Sequence, residues 1–351
     1  MTLAQDPSEG IPPVGPASPD SSQGVAGGGG AVSLGGIGVV SETGGGRYRV
    51  SLESGAKVEA VLRGRLKQDR RLQGSAVVIG DRVRIEASPD GTAAIEEVLP
   101  RTSAFLRRGA GGRQAKMVAA NLDLLVLVVA ARDPEISQGL MDRFLVAGES
   151  NGLECLVVVN KMDLPGARGR GEELALIYGQ VGYKLIRASE TTGEGVEEFR
   201  NSLVGRWAAL VGPSGVGKSS LLNRLHPGLD LRIGAVSEKR GTGRHTTVQA
   251  RLLQLPGDIR VADTPGFSDM ALWGVEPDRL SHCFPEFRSP AKGCRFRGCS
   301  HTHEPGCGVK AALESGGISA PRYGSYLQLL EETGALAAGS VKRRRDPPPR
   351  E

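Results

Sequence analysis

The stretch Gly212-Pro213-Ser214-Gly215-Val216-Gly217-Lys218-Ser219 leaves this chain few folds to choose from. It satisfies G-x-x-x-x-G-K-[ST] at every fixed position, with a strand-like run at 207–211 before it and helix-forming residues 220–225 after it. In that context the glycines let consecutive backbone N–H groups curl around a polyphosphate, and the helix that follows presents its positive end to it. Lys218 would reach the outer phosphates, the Ser219 hydroxyl would face a magnesium ion, and Ser220 would continue the first turn beside them.

The surrounding pattern agrees. Apolar runs at 124–130, 153–159, 184–188, 208–211 and 260–262 alternate with stretches of helical texture such as 138–150. Near-continuous apolar strands separated by helices are the pattern of a parallel sheet covered on its faces, so we expect an α/β nucleotide domain over 105–273. The phosphate loop does not distinguish ATP from GTP; Asn160-Lys161-Met162-Asp163 does. It follows the run at 153–159, at the carboxyl edge of the sheet. A carboxylate at Asp163 can accept from the N1 and N2 donors of guanine, a pair that adenine lacks. Asn160 would tie the loop together and approach the base, and the Lys161 stem would cover its face. Ala188-Ser189, at the end of the next strand, is expected to offer backbone contacts to the guanine oxygen.

Asp263-Thr264-Pro265-Gly266 fits D-x-x-G after the run at 260–262. Asp263 would hold magnesium and the Gly266 N–H would sense the outer phosphate. Upstream lies Gly241-Thr242-Gly243-Arg244-His245-Thr246-Thr247, where Thr246 or Thr247 could complete the magnesium shell while the third phosphate is present. Phe267 stands where many GTPases place a water-orienting glutamine, so turnover by the chain alone should be slow. We expect His245 to position the attacking water, with Lys218 as the other catalytic group. The base-reading motif precedes the phosphate loop, whereas regulatory GTPases run the other way. The domain is circularly permuted, an arrangement compact domains tolerate when their original ends lie close. It brings the D-x-x-G segment directly before the C-terminal region, which hydrolysis could then move.

The flanks read differently. Residues 1–35 are Gly, Pro, Ser and Ala with too little apolar surface to offset their ordering entropy, and suggest a disordered arm. Over 36–104, short alternating runs at 47–52 and 57–62 around a Ser54-Gly55 turn, with further runs at 77–85, interrupted at Gly80-Asp81, and at 93–98, suggest a small barrel of the oligonucleotide-binding type. Arg63, Arg65, Lys67, Arg70, Arg71, Arg82 and Arg84 would give it a face suited to an RNA backbone. A basic connector follows at 101–116. Residues 274–335 should form a small, mainly helical domain with a helix near 323–332, and 336–351 an unstructured basic, proline-rich tail.

Of five cysteines, Cys294, Cys299 and Cys307 fall close together with His301, in a glycine-rich stretch with little apolar material. Three thiols and one imidazole suit a closed, tetrahedral, structural zinc. His303 could replace His301, and Cys283 is a distant spare; Cys155, in an apolar run, reads as a small core residue. The absence of a secretory signal and the odd cysteine count favour a reducing cytoplasm. The longest apolar run, 122–131, is too short to span a bilayer and contains Asp123, which argues against a membrane protein. The net charge of +5 permits a nucleic-acid partner.

In combination, N-K-M-D, G-P-S-G-V-G-K-S-S, G-x-G-R-H-T-T, D-T-P-G-F and the C-x4-C-x-H-x5-C spacing resemble the ribosome small-subunit-dependent GTPase family from about Ile37 to Glu332. The resemblance implies a barrel, a permuted GTPase domain and a zinc domain. It further implies the small ribosomal subunit and its rRNA as partners, with slow GTP hydrolysis stimulated by that subunit in its late maturation or release. Two alternatives stay open: a GTP-gated RNA-binding protein whose hydrolysis is incidental, and a permuted GTPase acting on the large subunit. Nothing in the sequence demands more than a monomer.

Overall fold

The computed structural model describes residues 35–64, 66, 77–87, 93–108, 115–229, 231, 250–263 and 275–345. The nucleotide domain is built on strands β8 (Leu124–Ala130), β9 (Glu154–Asn160), β10 (Lys184–Arg187), β11 (Trp207–Val211), β12 (Ala250–Leu255) and β13 (Ile259–Asp263). They lie in the order β10-β9-β8-β11-β13-β12, all parallel except β12. The helices are α1 (Gln138–Ser150), α2 (Ala167–Val181), α3 (Val196–Leu203) and α4 (Lys218–Leu225).

Every residue of β8 is buried. Its side chains alternate between two cores, as the period of a strand requires. Leu125, Leu127 and Val129 pack with Met141, Phe144 and Leu145 of α1, while Leu124, Val126 and Val128 pack with Phe199 of α3 and Leu221 and Leu222 of α4. Each such apolar side chain contributes about 1.5–3 kcal/mol on burial, so a charge anywhere along β8 would be costly. The Ser137 side chain accepts from the Leu140 N–H and starts α1.

The N-terminal strands β1 (Gly36–Gly44), β2 (Arg47–Leu52), β3 (Lys57–Leu62), β4 (Arg82–Ala87) and β5 (Ala93–Val98) run β1-β2-β3-β5-β4, and β4 closes back on β1. This is the expected five-strand barrel. Alternate residues such as Val58, Ala60 and Leu62 fill it together with Val50, Val83 and Ile95. The run at 77–85 is broken at Gly80-Asp81, as expected: the Asp81 carboxylate accepts from the Val78 N–H and pairs with Arg101, and β4 begins at Arg82, while 77–79 before the break form no strand. The connector also contains a hairpin, β6 (Ala104–Arg108) with β7 (Ala115–Ala120), whose basic letters concealed an antiparallel ladder.

Barrel and nucleotide sheet are not joined only by a linker. β1 is long enough to pair with β12 as well, Glu42 facing Arg251 and Thr43 facing Ala250, so one eleven-stranded sheet runs through both. Behind it the Asn121 side chain donates to the Gly80 carbonyl at 2.9 Å and accepts from the Thr102 N–H at 2.8 Å.

The C-terminal region has short 3-10 turns at Leu280–Cys283, Pro285–Phe287 and Pro290–Gly293, then α5 (Gly308–Glu314) and α6 (Ala320–Arg345). The helix expected near 323–332 therefore continues through the first part of the segment expected to be an unstructured tail. Ala, Leu, Lys and Arg at 335–345 are good helix formers, and the prolines at 347–349 cannot continue the helix. No helix among the described residues is long and apolar enough to cross a membrane.

Candidate functional site

After β10 the chain returns to the centre of the sheet, so β8 and β11 are neighbours from which successive connections run in opposite directions. A crevice at the carboxyl ends of such strands is where α/β sheets take ligands. The phosphate-loop sequence leaves β11 at this point. Gly212 has φ 133°, and a Cβ there would lie 2.1 Å from the Val128 carbonyl oxygen, so no other residue lets the loop pass so close to β8. Lys218, the first residue of α4, donates to the Gly212 and Pro213 carbonyls at 2.7 Å each. Burial lowers its pKa to about 8, against the opposing pull of Asp263. Asp263 ends β13, and burial pushes its carboxyl upward against the fields of Arg251 and Lys218. Two opposite charges are thus held partly out of water at the same end of the sheet. Ser219 and Ser220 are half-buried in the first turn, while Ser214 and Gly215 are exposed and Val216 is buried.

Asn160 closes β9 and is fully buried. Its Nδ2 donates to the Val216 carbonyl at 2.9 Å and to Glu190 Oε2 at 3.2 Å, whereas its Oδ1 has no hydrogen-bond partner among the described residues. The base-reading motif and the phosphate loop are therefore one bonded unit, although 56 positions separate Asn160 from Val216. Gly217 is the close neighbour, for its φ is 95° and a Cβ there would stand 2.2 Å from Asn160 Nδ2. Lys161 has φ 62° and donates from Nζ to the Asp133 carbonyl, which lays its stem across the loop after β8. Met162 is buried and donates from its backbone to Ala188. Asp163 Oδ1 accepts the Ser189 hydroxyl at 2.6 Å, and Ser189 Oγ in turn accepts from the Thr192 N–H at 3.1 Å, which fixes the direction of the carboxylate.

The Ala188 N–H donates to the Val159 carbonyl at 2.8 Å and the Ser189 N–H to the Glu194 carbonyl at 2.9 Å. Parallel pairing and the turn that follows use both donors, and the Ser189 hydroxyl is the group that meets Asp163. Glu190 belongs to no motif, and its place directly after Ser189 is what brings its carboxylate to Asn160. His245, Thr246, Thr247, Gly266 and Phe267 lie outside the described residues, as do Arg65, Lys67, Arg70 and Arg71 of the expected basic face.

The second constellation is a candidate metal centre. Ligand atoms of Cys294, Cys299, His301 and Cys307 all lie within 4.8 Å of one another. Cys294 Sγ stands 3.9 Å from Cys307 Sγ, and His301 Nδ1 stands 3.6 and 3.5 Å from those sulfurs. Thiolate and imidazole ligands about 2.0–2.3 Å from a tetrahedral zinc would be roughly 3.5–3.8 Å apart, so the donor set fits. His303 is exposed and bonds its ring to Thr302 Oγ1, away from the cluster, and Cys283 is buried elsewhere. The loop is held from behind, where the Tyr323 and Tyr326 hydroxyls donate to the His301 and Ser300 carbonyls at 2.6 Å each. Cys155 is buried among apolar residues, and desolvation pushes its thiol far above the usual range, as a small core residue requires.

This C-terminal region docks on the nucleotide domain through charges no motif announced. Arg322 of α6 is 1% exposed, donates to Asp142 of α1 at 2.6 Å, and grips Glu286 with Nε and Nη2 at 2.7 and 2.9 Å. Tyr178 of α2 donates to the same Asp142 oxygen, and the guanidinium lies 4.8 Å from the Phe284 ring centre. Arg143 pairs with both oxygens of Glu332, and Arg288 with Glu149.

The family model described as RsgA GTPase matches residues 98–273. A Gemmatimonas aurantiaca protein named small ribosomal subunit biogenesis GTPase RsgA is 46% identical over 300 residues, spanning 84% of this chain and 96% of that one. A Thermotoga maritima protein of the same name is 41% identical over 282 residues, 80% of this chain and 90% of its own. Among solved structures, YjeQ from Thermotoga maritima superposes with a TM-score of 0.70 at 37% identity, covering 85% of this chain and 98% of that one. YloQ, described as a circularly permuted GTPase, gives 0.66 at 28% identity, covering 90% and 97%. The permuted strand order, the bonded loop pair and these likenesses agree, and the chain belongs to the RsgA GTPase family.

Proposed function

We propose that the chain hydrolyses GTP in the service of the small ribosomal subunit, binding the subunit and its rRNA and using hydrolysis in late maturation or in its own release. The observation that carries the nucleotide reading is the Asn160–Val216 bond, which ties a carboxylate suited to guanine, Asp163, to a loop suited to phosphates. Residues 212–220, with Lys218, would take the phosphates; Asn160, Lys161, Met162, Asp163 and Ser189 would take the base, with Ala188 as backbone support. Gly266 would meet the third phosphate. Ser219, Asp263 and Thr246 or Thr247 would hold magnesium, which neutralises phosphate charge when bound. The partly desolvated Asp263 carboxyl suits that task.

Cys294, Cys299, His301 and Cys307 would hold a structural zinc in a closed site that pins their loop against the buried Phe287 and Tyr326. The names of the relatives support the small subunit over the large one, as do a barrel at one end and a metal centre at the other. His245 remains our assignment for positioning water, with the subunit ordering its loop. A monomer in the cytoplasm fits these roles. GTP turnover measured alone, with small subunits and with large subunits tests the reading. We expect slow turnover alone and clear stimulation by small subunits only; equal stimulation by both, or none, refutes the assignment.

A further inference from the structure

The Asn160 amide has two protons and both are taken: one by the Val216 carbonyl inside the phosphate loop, the other by the Glu190 carboxylate. Both neighbours accept, so Nδ2 must face them and Oδ1 must face the other way, where it is buried without a partner among the described residues. Glu190 Oε2 also approaches the phosphate loop itself, 3.6 Å from where a Gly217 Cβ would be. A carboxylate therefore stands at the junction of the two loops that the preceding section assigns to base and phosphates.

Resting on that assignment, we propose that Glu190 competes with the guanine base for the Asn160 amide and thereby speeds nucleotide release. Guanine carries N7 as an acceptor that an amide N–H can bond. To accept from Asn160, N7 must take one of the two protons already in use. The bond to Val216 holds the phosphate loop in shape and cannot be given up without opening that loop. The bond to Glu190 is longer, is made to a half-buried side chain, and can be exchanged for water. Binding of the base then displaces Glu190 from Asn160, and the return of Glu190 favours departure of the base. Glu190 is a positioning residue in this scheme, acting through Asn160.

The test follows release of a fluorescent GDP, and of its 7-deaza counterpart, from the full chain and from the Glu190→Ala and Glu190→Gln variants. The 7-deaza base lacks the N7 acceptor. A lost charge-assisted competitor corresponds to about a tenfold slower GDP release from Glu190→Ala, with Glu190→Gln between it and the parent chain. Release of 7-deaza-GDP should change little, because the freed proton has no N7 to bond. GDP release that is unchanged or faster in Glu190→Ala overturns the proposal, since Glu190 would then be preorganising Asn160 or irrelevant to it. Equal slowing for both nucleotides overturns it too, by assigning the effect to general charge repulsion. If the parent chain holds no guanine nucleotide at all, the nucleotide assignment falls first and takes this inference with it.

Discussion

Replacing Arg322 by Met removes one guanidinium and keeps most of its volume. Asp142 is fully buried, the Glu286 side chain is 8% exposed, and both pair with Arg322. Breaking a buried pair by removing one partner costs about 3–5 kcal/mol, because the remaining charge stays desolvated. Two carboxylates are stranded here, so we expect about 5 kcal/mol for Arg322→Met, read from urea unfolding at neutral pH. The companion variant Arg322→Met/Asp142→Asn/Glu286→Gln removes the stranded charges and should lie within about 1–2 kcal/mol of the parent chain.

The sign of the pH dependence follows from Asp142. Burial already holds its carboxyl above the ordinary value, with Arg322 as the main opposing influence. A carboxyl raised in the folded state adds stability while protonated and withdraws it as pH rises through its folded pKa. Without Arg322 that pKa climbs further, so the deficit of the single variant should be smaller near about pH 4 and grow toward neutrality. A single variant that loses less than about 1 kcal/mol at neutral pH, or a triple variant no more stable than the single, would refute the claim that Arg322 neutralises the domain contact.

Other outcomes follow from the site. Gly217→Ala drives a Cβ into the Asn160 amide and should abolish GDP binding while circular dichroism stays unchanged; retained binding would break the link between the two loops. Ser189→Ala frees the Asp163 carboxylate and should weaken GTP about tenfold but leave weak ATP binding alone, narrowing the ratio measured by competition. Lys218 titrates near 8 in the free protein, and bound phosphates must raise that value, so GDP affinity should be full below pH 8 and fall as pH rises beyond it; a flat profile to high pH counts against Lys218 as the phosphate contact. Stripping metal with a chelator, or Cys307→Ser, should release one metal ion per chain by elemental analysis and loosen the C-terminal region to proteolysis, and metal-free protein with unchanged protease resistance would contradict a structural role.

What could be read in the letters was what is local. The phosphate loop, Asn160–Asp163 and the cysteine cluster are short runs whose chemistry depends on residue type and spacing, and each falls where its flanking elements require. Readings that needed partners distant in sequence were less complete. Arg322 meets Asp142 across 180 positions, and nothing near either residue announces the pair. The hairpin β6–β7 hides in a basic stretch because its ladder uses backbone groups that any residue carries. Ala188 and Ser189 illustrate the same limit at the site, since their N–H groups look free in sequence and are spent in the fold.

The strand shared between barrel and nucleotide sheet has a mechanical consequence. β12 begins directly after the segment carrying His245, Thr246 and Thr247, β13 ends on Asp263, and β1 pairs with the start of β12 through Glu42 and Thr43. The barrel is mounted, like a handle on a blade, on the same strand pair whose tips lead to the two segments expected to track the third phosphate. Force on that pair therefore reaches the barrel through backbone pairing at Glu42 and Thr43 as well as along the chain.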